Sequence, residues 1–247
     1  MTQRNIKMTV AYDGTAFFGW QTQSNGQRTV QDTIESGIKA LVGDTVNIIV
    51  SGRTDTGVHA EGQVINFTTT STIPAESFAL ALQKFLPFDI KILDSTAVDL
   101  AFHSTFDAKH KLYRYKIYNR KWLLPQLRHH VCHIWQTLDI EKMRQAAAVL
   151  VGEHDFASFK SNNGNPVKST VRTIYKCTLS REGDFIILDV EGSGFLYNMV
   201  RNIAGTLIEI GQGIHSKSMQ DILDAKSRSA AGKRSCAAGL TLMHVTY

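Results

Sequence analysis

Residues 46–69 read VNIIVSGRTDTGVHAEGQVINFTT. Two β-branched runs, Val46 to Val50 and Gln63 to Thr69, flank a polar turn, Ser51 to Ala60, that holds Gly52, Gly57 and one acid, Asp55. Runs of this composition read as strands, and the glycines between them as punctuation. Upstream, Asn5 to Tyr12 reads as another strand, ended by Asp13-Gly14. Thr29 to Val42 then carries Val30, Ile34, Ile38, Leu41 and Val42 at helical spacing, with Thr29 and Asp32 resembling a capping box. Downstream, Pro74 opens a helix through Leu86, and Lys91 to Val98 is a fourth strand. The order is β-α-β-β-α-β, a split βαβ unit.

The second half repeats that order without repeating residues. A strand from about Lys109 to Tyr118 precedes a helix with Ile140, Met143, Ala147, Leu150 and Val151 inward. Strands Thr170 to Leu179 and Phe185 to Val190 follow, then helices Leu196 to Ile210 and Ser218 to Ala225, and a last strand, Leu240 to Val245. Ser161 to Pro166 is the most loop-like stretch. The expectation is an α+β chain of two halves, residues 1–104 and 105–247, whose antiparallel sheets join into one extended sheet around a central cleft.

With 247 residues and 43% hydrophobic content, the chain can bury a substantial core. A net charge of +5 suits a polyanionic partner. Cys132, Cys177 and Cys236 are odd in number and widely spaced, which fits reduced thiols rather than a disulfide framework. The Asn66-Phe67-Thr68 glycosylation sequon is then idle. No signal core and no apolar window of membrane-spanning length occurs, so a cytoplasmic protein without a membrane partner is expected.

Three segments can carry chemistry. Asp55 sits at a strand tip beside Arg53, where a guanidinium keeps a carboxylate ionised; the alternative is a turn acid that binds backbone amides. In Lys109 to Lys116, basic and aromatic residues interleave, and a strand puts Lys109, Lys111, Tyr113 and Tyr115 on one face, able to meet phosphates and stack on a base. The alternative there is a solvated strand with its tyrosines in the core. In Gly192 to Asn202, a strand passes through small residues into an apolar helix bearing Arg201, which needs a carboxylate or phosphate partner or an ordinary structural ion pair. Gly192-Ser193-Gly194 opens a dinucleotide fingerprint, but Tyr197 stands at the third glycine and the βαβ pattern is wrong, so no nucleotide cofactor is expected; no P-loop occurs. His129, His130, Cys132 and His133 fit no usual zinc spacing, so no metal is expected and the segment reads as polar surface. His59 reads as structural rather than as a base.

These segments together resemble the tRNA pseudouridine synthase A family over nearly the whole chain. The strongest element is Gly52-Arg53-Thr54-Asp55-Thr56-Gly57-Val58-His59-Ala60. Supporting blocks are Tyr12-Asp13-Gly14-Thr15, Phe18-Gly19-Trp20-Gln21, Tyr113-Arg114-Tyr115, His154-Asp155-Phe156, Phe195-Leu196 and Met199-Val200-Arg201-Asn202-Ile203. The resemblance implies a homodimer with two ferredoxin-like halves per chain. It also implies a cofactor-free isomerase that converts uridines 38, 39 and 40 of the tRNA anticodon arm to pseudouridine. By position Asp55 falls on the catalytic aspartate, Tyr113 on the tyrosine that stacks on the uracil, Arg201 on the arginine paired with the aspartate, and Arg53 on the arginine that assists base extrusion. Lys109, Lys111, Phe195 and Leu196 join Arg53 and Tyr113 in substrate binding. Thr105, Ser193 and Lys233 to Cys236 depart from the family pattern and put local substrate contacts in question. The rivals are a non-catalytic RNA-binding or RNA-folding protein and a metal-dependent hydrolase using the His129 to His133 cluster.

Overall fold

Strand β1 (Arg4–Tyr12) buries Ile6, Met8, Val10 and Tyr12 on alternate positions, the period-2 signature of a strand with one face on a core. The computed structural model describes every residue except Met1, Asn25, Asn163 and Asn165, so the expected loop at 161–166 lies partly outside the described residues. In chain order the remaining strands are β2 (Ile49–Val50), β3 (His59–Thr69), β4 (Ile90–Val98), β5 (His110–Tyr118), β6 (Cys132–His133), β7 (Gly152–Asp155), β8 (Val171–Glu182), β9 (Phe185–Gly192) and β10 (Leu240–Thr246). The helices are α1 (Val30–Val42), α2 (Phe78–Leu82), α3 (Ile140–Val149), α4 (Met199–Gly211) and α5 (Met219–Asp224). The fold class is α+β. The chain divides into two compact units, Met1–Lys109 with Thr241–Tyr247, and His110–Leu240.

In the first unit, β3 and β4 flank β1, both antiparallel to it. The far edge of β3 takes β2 antiparallel, with Ile49 opposite Asn66, and β10 parallel, with Thr241 opposite His59. The order β4-β1-β3-β2 is that of a split βαβ unit. The residues of β10 from Thr241 onward group with this unit, against the edge of β3 that leads out of the Asp55 turn. Gly62 permits their approach, because a Cβ there would stand 2.3 Å from the Met243 carbonyl oxygen.

Helix α1 is capped as its sequence suggests. The Thr29 hydroxyl accepts from the Asp32 N–H at 3.2 Å, and Gly43 ends the helix in the left-handed region at φ 86°. Its buried face presents Val30, Ile34 and Ile38. The run Val46 to Val50 pairs only at Ile49–Val50, because the Ile48 N–H donates at 3.2 Å to the Glu35 carboxylate on α1 rather than to a strand. The helix expected from Pro74 to Leu86 begins as a 3-10 turn at Ala75–Ser77 and is α-helical only at Phe78–Leu82, where the Ser95 hydroxyl accepts the Ala79 N–H.

In the second unit β5, β9, β8 and β7 pair successively in antiparallel fashion, and β6 adds in parallel to β5 with Cys132 opposite Ile117. Helix α4 is buried almost throughout, including Met199, Ile203 and Leu207. Each such side chain stabilises by about 1.5–3 kcal/mol relative to exposure. It packs against α3, whose Met143 and Ala147, with Leu150 just beyond the helix, are fully buried. Val151, expected inward, is 45% exposed because α3 ends at Val149 and the chain leaves the helical face. No helix among the described residues is long and apolar enough to cross a membrane.

Candidate active site

The Asp55 turn is held by backbone groups on both sides. Trp20 N–H donates to the Thr54 carbonyl at 3.0 Å, Gly57 N–H to the Phe17 carbonyl at 3.4 Å, and Val58 N–H to the Asp55 carbonyl at 3.1 Å. Two glycines make these approaches possible. A Cβ on Gly14 would stand 2.0 Å from the Val58 carbonyl oxygen, and Gly19, at φ +87°, lies against the backbone of residues 54–56. Beneath the turn the Tyr12 hydroxyl hydrogen-bonds Thr54 Oγ1 at 2.7 Å. Burial pushes the Tyr12 phenol up to about 12, so it stays protonated at neutral pH. Gln63 donates to the Gly52 carbonyl at 2.8 Å and accepts from the Ser51 hydroxyl at 2.6 Å. Asp55 itself is half-buried and Arg53 is exposed.

His59 Nδ1 accepts the Gly14 N–H at 3.1 Å. It also lies 3.2 Å from Asp13 Oδ1, but the Gly14 N–H is an unambiguous donor, which makes Nδ1 an acceptor and leaves the ring proton on Nε2. The imidazole therefore braces the loop that underlies the Asp55 turn, the structural role expected from the sequence.

In the second unit, β5 alternates as expected. Tyr113, Tyr115 and Ile117 are buried along one face, with half-buried Lys111 at its start. Burial lowers the Lys111 ammonium from its ordinary value. The Tyr113 ring meets Phe195 edge-on, 5.1 Å between centroids at 87°, a geometry that fixes the plane of the tyrosine. On the opposite face Arg114 forms two parallel 2.8 Å bonds to Asp189 of β9, its register partner. Lys109, exposed, precedes this strand in the chain and donates its N–H to the Thr246 carbonyl.

Arg201 stands in the first turn of α4. The helix starts at Met199 rather than Leu196, because Asn198 adopts φ 60°, ψ 10°, a left-handed conformation in which Asn is tolerated. From there the Asn198 side-chain oxygen accepts from Arg201 Nη1 at 2.9 Å, while Arg201 Nε donates to the Ser235 carbonyl at 3.0 Å. Ser235 N–H in turn donates to the Arg201 carbonyl at 3.2 Å, so the guanidinium and its backbone are clasped by one residue. Sequence reasoning missed Asn198 and Ser235. A left-handed Asn three residues before an arginine is a signal for the first, whereas a carbonyl partner 34 positions away leaves none for the second. Leu196 is buried, and its N–H points at Met199 Sδ.

The departures from the family pattern have local partners. The Thr105 hydroxyl donates to the Val50 carbonyl at 2.6 Å, and Ser193 Oγ accepts the Thr173 N–H at 3.2 Å. In the 233–236 stretch, Ser235 bonds Arg201 of α4 as above, and the Lys233 N–H donates to the Glu209 carboxylate at 2.9 Å. In the histidine-rich segment, Cys132 Sγ lies 3.4 Å from Ser235 Oγ and the His133 Nε2 atom meets the Arg120 carbonyl at 2.8 Å.

A family model described as tRNA pseudouridine synthase matches residues 8–107 and 146–247. Asp55 and Arg53 fall in the first matched segment, Phe195, Leu196 and Arg201 in the second, and Lys109, Lys111 and Tyr113 between them. A tRNA pseudouridine synthase A of Acetivibrio thermocellus is 47% identical over 245 residues, covering 99% of this chain and 100% of its own length. One of Thermoanaerobacter sp. (strain X514) is 45% identical with the same coverage, and one of Bacillus pumilus is 46% identical over 98% of each chain.

Proposed function

The chain belongs to the tRNA pseudouridine synthase A family, isomerases that convert uridine in tRNA to pseudouridine, and from that premise we propose that Asp55 is the catalytic carboxylate, acting with Tyr113 and Arg201 on one uridine. The observation that supports the reading is the Asp55 turn, whose backbone is held by hydrogen bonds on both sides and which carries one half-buried acidic residue. The reaction breaks the bond from uracil N1 to ribose C1′, turns the base and joins C5 to C1′. No redox change or hydrolysis occurs, so side chains suffice. An ionised Asp55 attacks the nucleoside or removes the ribose 2′ proton. Tyr113, its plane set by Phe195, stacks on the freed uracil and relays the C5 proton. Arg201, clasped by Asn198 and Ser235, pairs with the carboxylate.

Substrate selection follows the same reading: uridines 38, 39 and 40 of the anticodon arm. Extruding a stacked base costs a few kcal/mol, which Arg53, Lys109 and Lys111 offset at the phosphates, while Phe195 and Leu196 line the base site. The active species is a homodimer and works in the cytoplasm. Incubation with unmodified tRNA should release hydrogen from uracil C5 and place pseudouridine at 38–40, and sedimentation should give twice the chain mass. Modification confined to sites outside the anticodon arm would remove the substrate assignment.

Lys111 supplies a separate prediction. Lys111→Glu should weaken tRNA binding and reduce the slope of log affinity against log salt by about 1 or more. An unaltered slope removes Lys111 from the phosphate footprint.

A further inference from the structure

The second unit holds a cluster that the isomerisation does not use. Cys132 is buried on β6 and Cys236 is exposed, and the Cys236 sulfur lies 4.0 Å from the carbonyl oxygen of Val131, the residue before Cys132. The Tyr115 hydroxyl donates to the Cys236 carbonyl at 2.9 Å and its oxygen lies 3.5 Å from Cys236 Sγ. Tyr115 also hydrogen-bonds the Ser235 hydroxyl, which meets Cys132 Sγ at 3.4 Å. The two sulfurs thus share one polar nest although they are remote in sequence. Two cysteines brought together by a fold, one accessible and one behind it, are what a thiol needs in order to be oxidised and then resolved.

We propose that Cys236 is a hydroperoxide-reactive cysteine and Cys132 its resolving thiol, forming a reversible Cys132–Cys236 disulfide beside the residue that holds Arg201. The thiolate attacks one peroxide oxygen, the O–O bond breaks, and the departing hydroxide is protonated to water, leaving Cys236 as a sulfenic acid. Cys132 sulfur then attacks the Cys236 sulfur. The S–O bond breaks, and the leaving hydroxide takes the Cys132 proton as a second water. Two thiols are oxidised by two electrons in total while one peroxide is reduced; a dithiol reverses the link.

The electrostatics suit this division of labour. The neighbouring Cys132 thiol draws the Cys236 thiol below its ordinary value, the Gly239 N–H and the Arg201 charge act the same way, and burial opposes them. The Cys132 thiol is pushed up by its neighbour Cys236 and by burial. Cys177, buried on β8, is pushed up to about 12 by burial and serves as an internal control. Because Ser235 adjoins Cys236 and its carbonyl anchors Arg201, linkage should move the anchor and slow turnover, a consequence that rests on the role proposed for Arg201.

The full-length protein is tested with iodoacetamide and with hydrogen peroxide. At pH 7 Cys236 should alkylate at least about tenfold faster than Cys177, since only the thiolate reacts. Peroxide should remove two hydrogen masses and yield a Cys132–Cys236 linked peptide, and dithiothreitol should reverse it. In Cys132→Ala the oxidation should stop at a sulfenic acid trapped by dimedone. Equal alkylation of Cys236 and Cys177, or no linked peptide, overturns the site. A linked peptide with undiminished turnover overturns the coupling to Arg201 and leaves the cysteine chemistry standing, and turnover that is absent before oxidation points to the functional reading instead.

Discussion

Asp55→Asn should lower turnover by about 10⁴-fold or more while tRNA affinity stays near that of the parent protein. Asparagine has the same shape and keeps every backbone bond of the turn, including Trp20 N–H to Thr54 and Val58 N–H to Asp55. What it removes is the negative charge and the basic oxygen. A factor of 10⁴ corresponds to about 5.5 kcal/mol of transition-state stabilisation, more than a displaced loop hydrogen bond supplies. The measurement is tritium release from uracil C5 in parallel with a filter-binding titration. Turnover within tenfold of the parent would exclude Asp55 as the reacting group. Loss of binding together with turnover would make it a scaffold residue instead.

The second large effect is on stability. A Cβ at Gly205 would lie 1.7 Å from the Lys233 carbonyl oxygen and 3.1 Å from the Ser235 N, both backbone atoms that no rotamer change can move aside. Gly205→Ala must therefore push residues 233–235 off α4, at a cost of about 3 kcal/mol or more, the upper range for overpacking. For a chain of this size that lowers the melting temperature by roughly 6–12 °C. Because Ser235 clasps Arg201, activity of the remaining folded fraction should fall as well. Gly194→Ala is the control, since apart from its chain neighbours the nearest atom to its Cβ would be the Arg172 Nε at 3.9 Å. Equal melting temperatures for the two variants would show that the close approach at Gly205 is not rigid.

Much of this architecture is legible in the residue pattern, and the exceptions have physical causes. The long strands and helices α1, α3 and α4 each span several periods of apolar spacing, so their positions follow from periodicity. β6 and β7 do not, because strands of two and four residues are defined by the partner they pair with and carry no period of their own. β2 is shorter than its β-branched run because a glutamate on α1 captures the Ile48 N–H. The Asp55 turn could be read because glycine leaves a visible mark wherever backbones cross closely. The holding of Arg201 could not, since a carbonyl acceptor belongs to every residue alike and only folding selects Ser235. The same holds for the Cys132–Cys236 pair, which the spacing of three cysteines did not suggest.

The placement of β10 has a consequence for how the protein is made. Its Thr241 and Leu242 pair with His59 and Ala60, the residues that lead out of the Asp55 turn, yet they follow the whole of the second unit in the chain. A ribosome must synthesise residues 110–240 before the first unit can acquire its missing edge. Until then, β3 offers open backbone groups beside Asp55, a template for intermolecular pairing. Nascent chains arrested short of position 241 should therefore depend on chaperones, and fragments ending there should aggregate rather than function.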